Sequence, residues 1–172
     1  MDNSAIERIA APDLTSDALA LLETYRANDD VIFFLGRLVW QGRMVNCAPT
    51  LLKIAIDPSR GRYARIAAIR GVMSVGDDGL KENLWEAIAD HPGPLDRSVF
   101  AELLRWAPPT TSSITLLLRS LEHVEPNNPL TVTGLEHSLH EFIDRLPVMR
   151  PPVRRCQDLA GLNLLTGFSG IA

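Results

Sequence analysis

The stretch Tyr63-Ala-Arg-Ile-Ala-Ala-Ile-Arg-Gly-Val-Met-Ser-Val-Gly76 constrains this chain more than any other segment. Counting from Arg65, Ala68 follows three residues on, Gly71 and Val72 six and seven on, and Val75 and Gly76 ten and eleven on. In a helix those positions share one face, and a glycine beyond the last of them ends it. Side chains this small let a second helix approach closely. The chain is therefore expected to consist of stacked helices, with Ala68 and Val72 inside the contact.

The remaining composition agrees. Aromatic residues make up only 6% of the 172 residues, and Ala and Leu supply most of the apolar surface. That favours close helix packing over a broad sheet core. At 46% hydrophobic and 22% charged, the chain has ordinary globular values and enough length for one domain with a sizeable core. The formal charge of −4 predicts no general attraction to nucleic acid or to an anionic membrane. No apolar run approaches the roughly 20 residues that span a bilayer. The polar start, Met-Asp-Asn-Ser-Ala-Ile-Glu-Arg, lacks the basic and apolar stretches of a signal peptide. Cys47 and Cys156 form no metal or disulfide motif, so a cytoplasmic setting is expected.

Apolar spacing predicts eight helices, over residues 16–28, 31–42, 46–56, 62–75, 79–90, 96–106, 111–123 and 133–146. Ser16, Asn28, Asn46, Asp77, Asp96 and Thr110 stand where helix N-caps are expected, and Thr133 with Glu136 reads as a capping box. Gly42 and Gly76 close two of the helices, and His91-Pro92-Gly93-Pro94 and Pro108-Pro109 interrupt others. No segment alternates with period two, so strands are not expected. The helices are expected to form antiparallel pairs in sequence order, burying Phe34, Leu38, Ala68, Val72, Leu84 and Leu104. Residues 1–15 read as an N-terminal extension and 147–158 as a basic, proline-rich connector. Residues 159–172 are apolar and uncharged, and are expected to form a capping helix or a homo-oligomer contact.

The small-residue face, the Asp57-Pro58-Ser59-Arg60-Gly61 turn before it, and the 34-residue spacing of Gly42 and Gly76 resemble HEAT repeats. The resemblance spans about residues 16–146. It implies an all-α, right-handed α-α superhelix, a solenoid of about four helical pairs, that works by offering a surface to a protein partner. In that family a turn Asp pairs with the helix Arg from repeat to repeat. Here two extra residues separate Asp57 from Arg65, which puts that ladder in question.

Several clusters bear on function. Arg60, Arg62, Arg65 and Arg70 form a local basic concentration and are the candidate partner-binding residues. Asp57, Asp77, Asp78, Glu82 and Glu86 stand nearby to neutralise them between stacked helices, which is the preferred structural reading. His137, His140 and Glu141, with Glu122, His123 and Glu125, are the most metal-like grouping, but the spacing matches no zinc motif and reads as a solvated helix face. Trp40, Trp85 and Trp106 fall on apolar stripes and read as core. No nucleophile elbow, phosphate loop or Cys–His arrangement is present, so a non-catalytic module without cofactor is expected. The segments Val31–Gly42 and Arg62–Arg70 are also similar to helical repeats of large bacterial NACHT/STAND-type NTPases. That similarity implies an excerpt of a sensor region, with further domains of the same polypeptide as partners. The competing class is a HEAT-like enzyme, of the DNA glycosylase or bilin lyase type; a basic concave groove would favour the glycosylase, and the acidic balance speaks against nucleic acid.

Overall fold

Turn and capping residues set the helix boundaries. The computed structural model describes residues 3–128 and 131–147, and within them the chain is helical throughout, apart from loops and one isolated parallel bridge between Leu95 and Val124. In chain order the helices are α1 (Asn3–Ile9), α2 (Thr15–Thr24), α3 (Asp29–Gly42), α4 (Ala48–Ile56), α5 (Arg62–Val75), α6 (Asp78–Ala89), α7 (Arg97–Trp106), α8 (Thr111–Leu121) and α9 (Leu135–Arg145). No helix of the described residues is long and apolar enough to cross a membrane. The connector and the apolar segment expected over 147–158 and 159–172 lie outside the described residues, apart from Pro147.

Four of the expected caps form. Asn28 accepts from Val31 N, Asp77 from Leu80 N, Asp96 from Ser98 N and Val99 N, and Thr110 from Ser113 N. Others do not. Helix α2 begins at Thr15 behind Leu14, so Ser16 is no cap. Asn46 sits in a 3₁₀ turn, Val45–Cys47, and α4 starts at Ala48 with Pro49 in its first turn. Thr133 does not cap α9; Gly134, at φ 73, holds that position without a side-chain bond. At the end of α3 the left-handed residue is Arg43 at φ 51, one place beyond Gly42.

The N-terminal segment is part of the core, not an extension. Ile6 of α1 is 2% exposed and packs with α3. The apolar period misses α1 because so short a helix offers one buried residue and no repeat.

The helices lie in two rows. Helix α3 packs on α5, α5 on α7 and α7 on α9; α4 packs on α6 and α6 on α8. Helices α2 and α3 pair, and so do α4 and α5, as the sequence suggests. The later pairs are looser than expected. Helix α7 lies closest to α9 and α5, and it meets α6 through long side chains such as Trp85, whose ring stands edge-on to Phe100 at 6.5 Å. Within the first row, neighbours run parallel. Asp29 meets Gly61, Phe33 meets Tyr63, and Trp40 meets Arg70, start to start and end to end.

The small face of α5 makes the closest contact. A Cβ on Gly36 would lie 3.0 Å from the Ala67 backbone carbon, and one on Gly71 would overlap Leu51 Cδ1. Ala68 and Val72 are wholly buried, and Arg65, Gly71 and Val75 are buried with them. Leu38, Leu84 and Leu104 are core residues too. Phe34 is only partly covered: it packs against the core from the side, because α3 has no neighbour on all its flanks.

Candidate functional site: the arginine ridge

The loops leading into α3, α5, α7 and α9 stack into a ridge. Arg60 Nη1 donates to Arg26 O at 3.1 Å and lies 3.5 Å from Asp29. Asp29 also accepts from Gly61 N at 2.7 Å. Further along, Arg62 Nε donates to Asp96 Oδ2 at 2.7 Å, and Arg97 Nη1 donates to Glu125 O at 3.3 Å. The Leu95–Val124 bridge closes the last step, with Leu95 N donating to His123 O and Glu125 N to Leu95 O.

Three of the four sequence-selected arginines meet here. Arg60, Arg62 and Arg65 line one cavity of about 320 Å³ with Pro58, His91, Asp96 and Glu125. Asp96 performs two tasks: Oδ1 caps α7 and Oδ2 receives Arg62. Arg65 is 9% exposed, and its Nε donates to Ala55 O at 3.0 Å. Burial pulls its guanidinium below the ordinary value, while Asp96 and then Asp57 act to hold it up.

Asp57 does not pair directly with Arg65. It accepts from Ser59 N at 2.9 Å and Ser59 Oγ at 2.6 Å, and lies 3.5 Å from Arg60. Those Ser59 bonds, with Arg60 and Arg65 adding to them, hold the Asp57 carboxyl below its usual range against a small opposing effect of burial. The turn thus folds Asp57 back on its own loop.

Arg70 stands apart from the other three. It lies further along α5, over the Trp40 ring at 5.0 Å, and grips Glu102 with two hydrogen bonds of 2.9 and 2.8 Å. Trp106 Nε1 donates to the same carboxylate at 2.9 Å. Burial pushes the Glu102 carboxyl up; Arg70 and Trp106 outweigh it, so the group lies below its usual range. Arg60 pairs with Asp29 and Asp57, Arg62 with Asp96 and Arg70 with Glu102, whereas Arg65, among the described residues, bonds only a backbone carbonyl. Of the acids expected to neutralise the group only Asp57 does so: Asp77 caps α6 and Asp78 lies 3.8 Å from Lys81.

Aromatic residues that the sequence reading did not select complete the surface. Tyr63, 68% exposed, stands edge-on to Phe33 at 6.2 Å. The two line a cavity of about 370 Å³ with Asp29, Asp30, Gly61 and Arg62, so Arg62 borders both cavities. Arg37, itself buried, lies over the Phe33 ring at 5.4 Å. Tyr63 sits within the segment that fixes the fold, but at a position outside its small face. An aromatic residue there is surface the core does not need, and that was the available signal. Exposed guanidinium edges beside aromatic rings suit recognition of carboxylates and apolar side chains.

The other sequence clusters fall elsewhere. Trp85 is buried; Trp40 and Trp106 are partly covered by the Arg70 and Glu102 contacts. His137 and Glu141 meet at 3.1 Å on an exposed face of α9. Among the described residues no group of three or more His, Cys, Asp or Glu is placed to hold a metal ion. Comparison of the chain with protein-family models, curated proteins and solved structures finds no match.

Proposed function

We propose that this chain is a non-catalytic helical-repeat module, a right-handed α-solenoid of HEAT type, that binds a protein partner along the ridge where α3 and α5 begin. The carrying observation is Tyr63: on a helix otherwise packed on its neighbours, this ring is 68% exposed, beside Phe33 and next to Arg62. A large apolar ring left in water next to a half-exposed guanidinium has the character of an interface anchor. The partner's matching feature is an apolar or aromatic residue flanked by a carboxylate. In a larger polypeptide the same surface serves as the sensor of a bacterial NTPase, with other domains of that chain as the partner.

Peptide display against the whole protein tests this. Selection is expected to enrich acidic–aromatic peptides, and binding should fall at least tenfold for Tyr63→Ala and Arg62→Glu while the melting temperature barely moves, as surface changes usually do. Enriched peptides without acidic residues, or binding untouched by both substitutions, would overturn the proposal.

A further inference from the structure

Arg65 has donors that the fold does not use. Its Nε is satisfied by Ala55 O, and among the described residues no carboxylate comes within ion-pair distance of its terminal nitrogens. Arg65 as a whole residue is 9% exposed, yet its terminal nitrogens are not among the buried polar atoms that lack a partner, so they reach solvent and are open to a ligand. The acceptors nearby are committed: Asp57 to Ser59 and Arg60, and Asp96 to Arg62 and the α7 cap. Yet Arg65 lines a cavity of about 320 Å³ together with Arg60, Arg62 and His91.

We infer that this cavity is a carboxylate-binding site, in which the terminal nitrogens of Arg65 grip both oxygens of an Asp or Glu side chain or of a chain-terminal carboxylate. The planar fork of arginine matches a carboxylate with two parallel hydrogen bonds. A singly charged ligand fits better than a phosphate dianion, because Arg60 and Arg62 are already neutralised by Asp29, Asp57 and Asp96, and Glu125 also lines the cavity. His91 stands in the same wall; its Nδ1 accepts from Gly93 N at 3.0 Å, which leaves Nε2 as the nitrogen available to a ligand oxygen. That the carboxylate belongs to a partner rests on the protein-binding proposal; the site itself does not.

The test uses the full chain and free anions. Acetate and N-acetylaspartate are titrated against chloride at matched ionic strength, with inorganic phosphate as a separate arm, following the Arg65 Nε–H resonance. Its assignment comes from through-bond correlation to the Arg65 backbone in the wild type, and Arg65→Lys keeps the charge but loses the fork. Acetate and N-acetylaspartate should shift that resonance saturably where chloride does not, and Arg65→Lys should weaken their binding by about tenfold. Equal effects of acetate and chloride mean screening alone and sink the site. Tighter binding of phosphate overturns the assignment to a carboxylate. The wild-type titration decides the question even if the variant fails to fold. Acetate binding alongside a failed peptide selection would remove the protein-binding reading and leave this site standing, and the converse would remove only the site.

Discussion

Glu102 is the place where a single substitution should reach furthest. It is 5% exposed, receives two bonds from Arg70 and one from Trp106, and so ties α5 to α7 in mid-helix. Breaking a buried ion pair costs about 3–5 kcal/mol because the surviving charge is left unpaired. Arg70 retains 24% side-chain exposure and its stack on Trp40, which places Glu102→Ala near the low end, at about 3 kcal/mol. For a domain of this size that is a fall in melting temperature of roughly 6–12 °C. Glu102→Gln keeps an acceptor for Trp106 and should cost about half as much. Arg105, 3.8 Å away and half exposed, adds little. A double-mutant cycle with Arg70→Ala, followed by thermal and urea unfolding, isolates the pair. A coupling energy below about 0.5 kcal/mol would mean that the two residues act independently and would refute the reasoning. The pair also has a pH signature. The folded-state value of Glu102 lies below the ordinary 4.5, so its contribution is complete above 4.5 and disappears as pH falls through the lowered value. Acid unfolding of the wild type should therefore steepen below that point, and Glu102→Gln should flatten the change.

Three further outcomes follow from packing and capping. Gly71→Leu should destabilise by about 1–3 kcal/mol or more, because the first added carbon already overlaps Leu51; a melting temperature equal to wild type would contradict the close α4–α5 contact. Asp96→Ala removes the α7 cap and the Arg62 partner together, and should cost about 1–2 kcal/mol, measured by urea unfolding; a cost no larger than that of Arg62→Ala would show that the cap contributes nothing. Ile6→Ala should cost about 2–3 kcal/mol if α1 belongs to the core, and no change in stability would return that segment to the status of an extension.

Much of the fold was legible in local chemistry. Eight helices follow from apolar spacing, and Asn28, Asp77, Asp96 and Thr110 cap where their residue types suggest. The small face of α5 is buried as its spacing requires. What stayed hidden depends on long-range contact. Helix α1 is stabilised by docking Ile6, not by a pattern of its own. The relation of α7 to α9, closer than that of α7 to α6, arises from how the rows settle and leaves no mark on either helix alone. In the candidate site, residue type drew attention to the arginines. Their separation into Arg60, Arg62 and Arg65 on one ridge and Arg70 on another contact follows from the helix turn and was readable in principle. The choice of Asp57 between Ser59 and Arg65 was not, because it is decided by the exact path of one turn.

The basic concentration of residues 60–70 has a structural cause that also explains why Arg65 is left over. Polar ties between neighbouring helix pairs recur at separations of 34, 32, 34 and 32 residues: Arg60 to Arg26, Gly61 to Asp29, Arg62 to Asp96, and Arg70 to Glu102. In each of these the donor belongs to the α4–α5 hairpin, its loop included. It reaches back towards α3 through Arg60 and Gly61 and forward to α7 through Arg62 and Arg70. The α4–α5 hairpin thus supplies the donors in both directions and its neighbours supply the acceptors. The acid it does carry, Asp57, is held by its own turn. Arg65 is thus the one arginine of the group that ties to neither neighbour, and its Nε bond to Ala55 O stays within the α4–α5 hairpin. The asymmetry that ties α3, α5 and α7 together is the same asymmetry that leaves Arg65, in the wall of the cavity, without a carboxylate partner among the described residues.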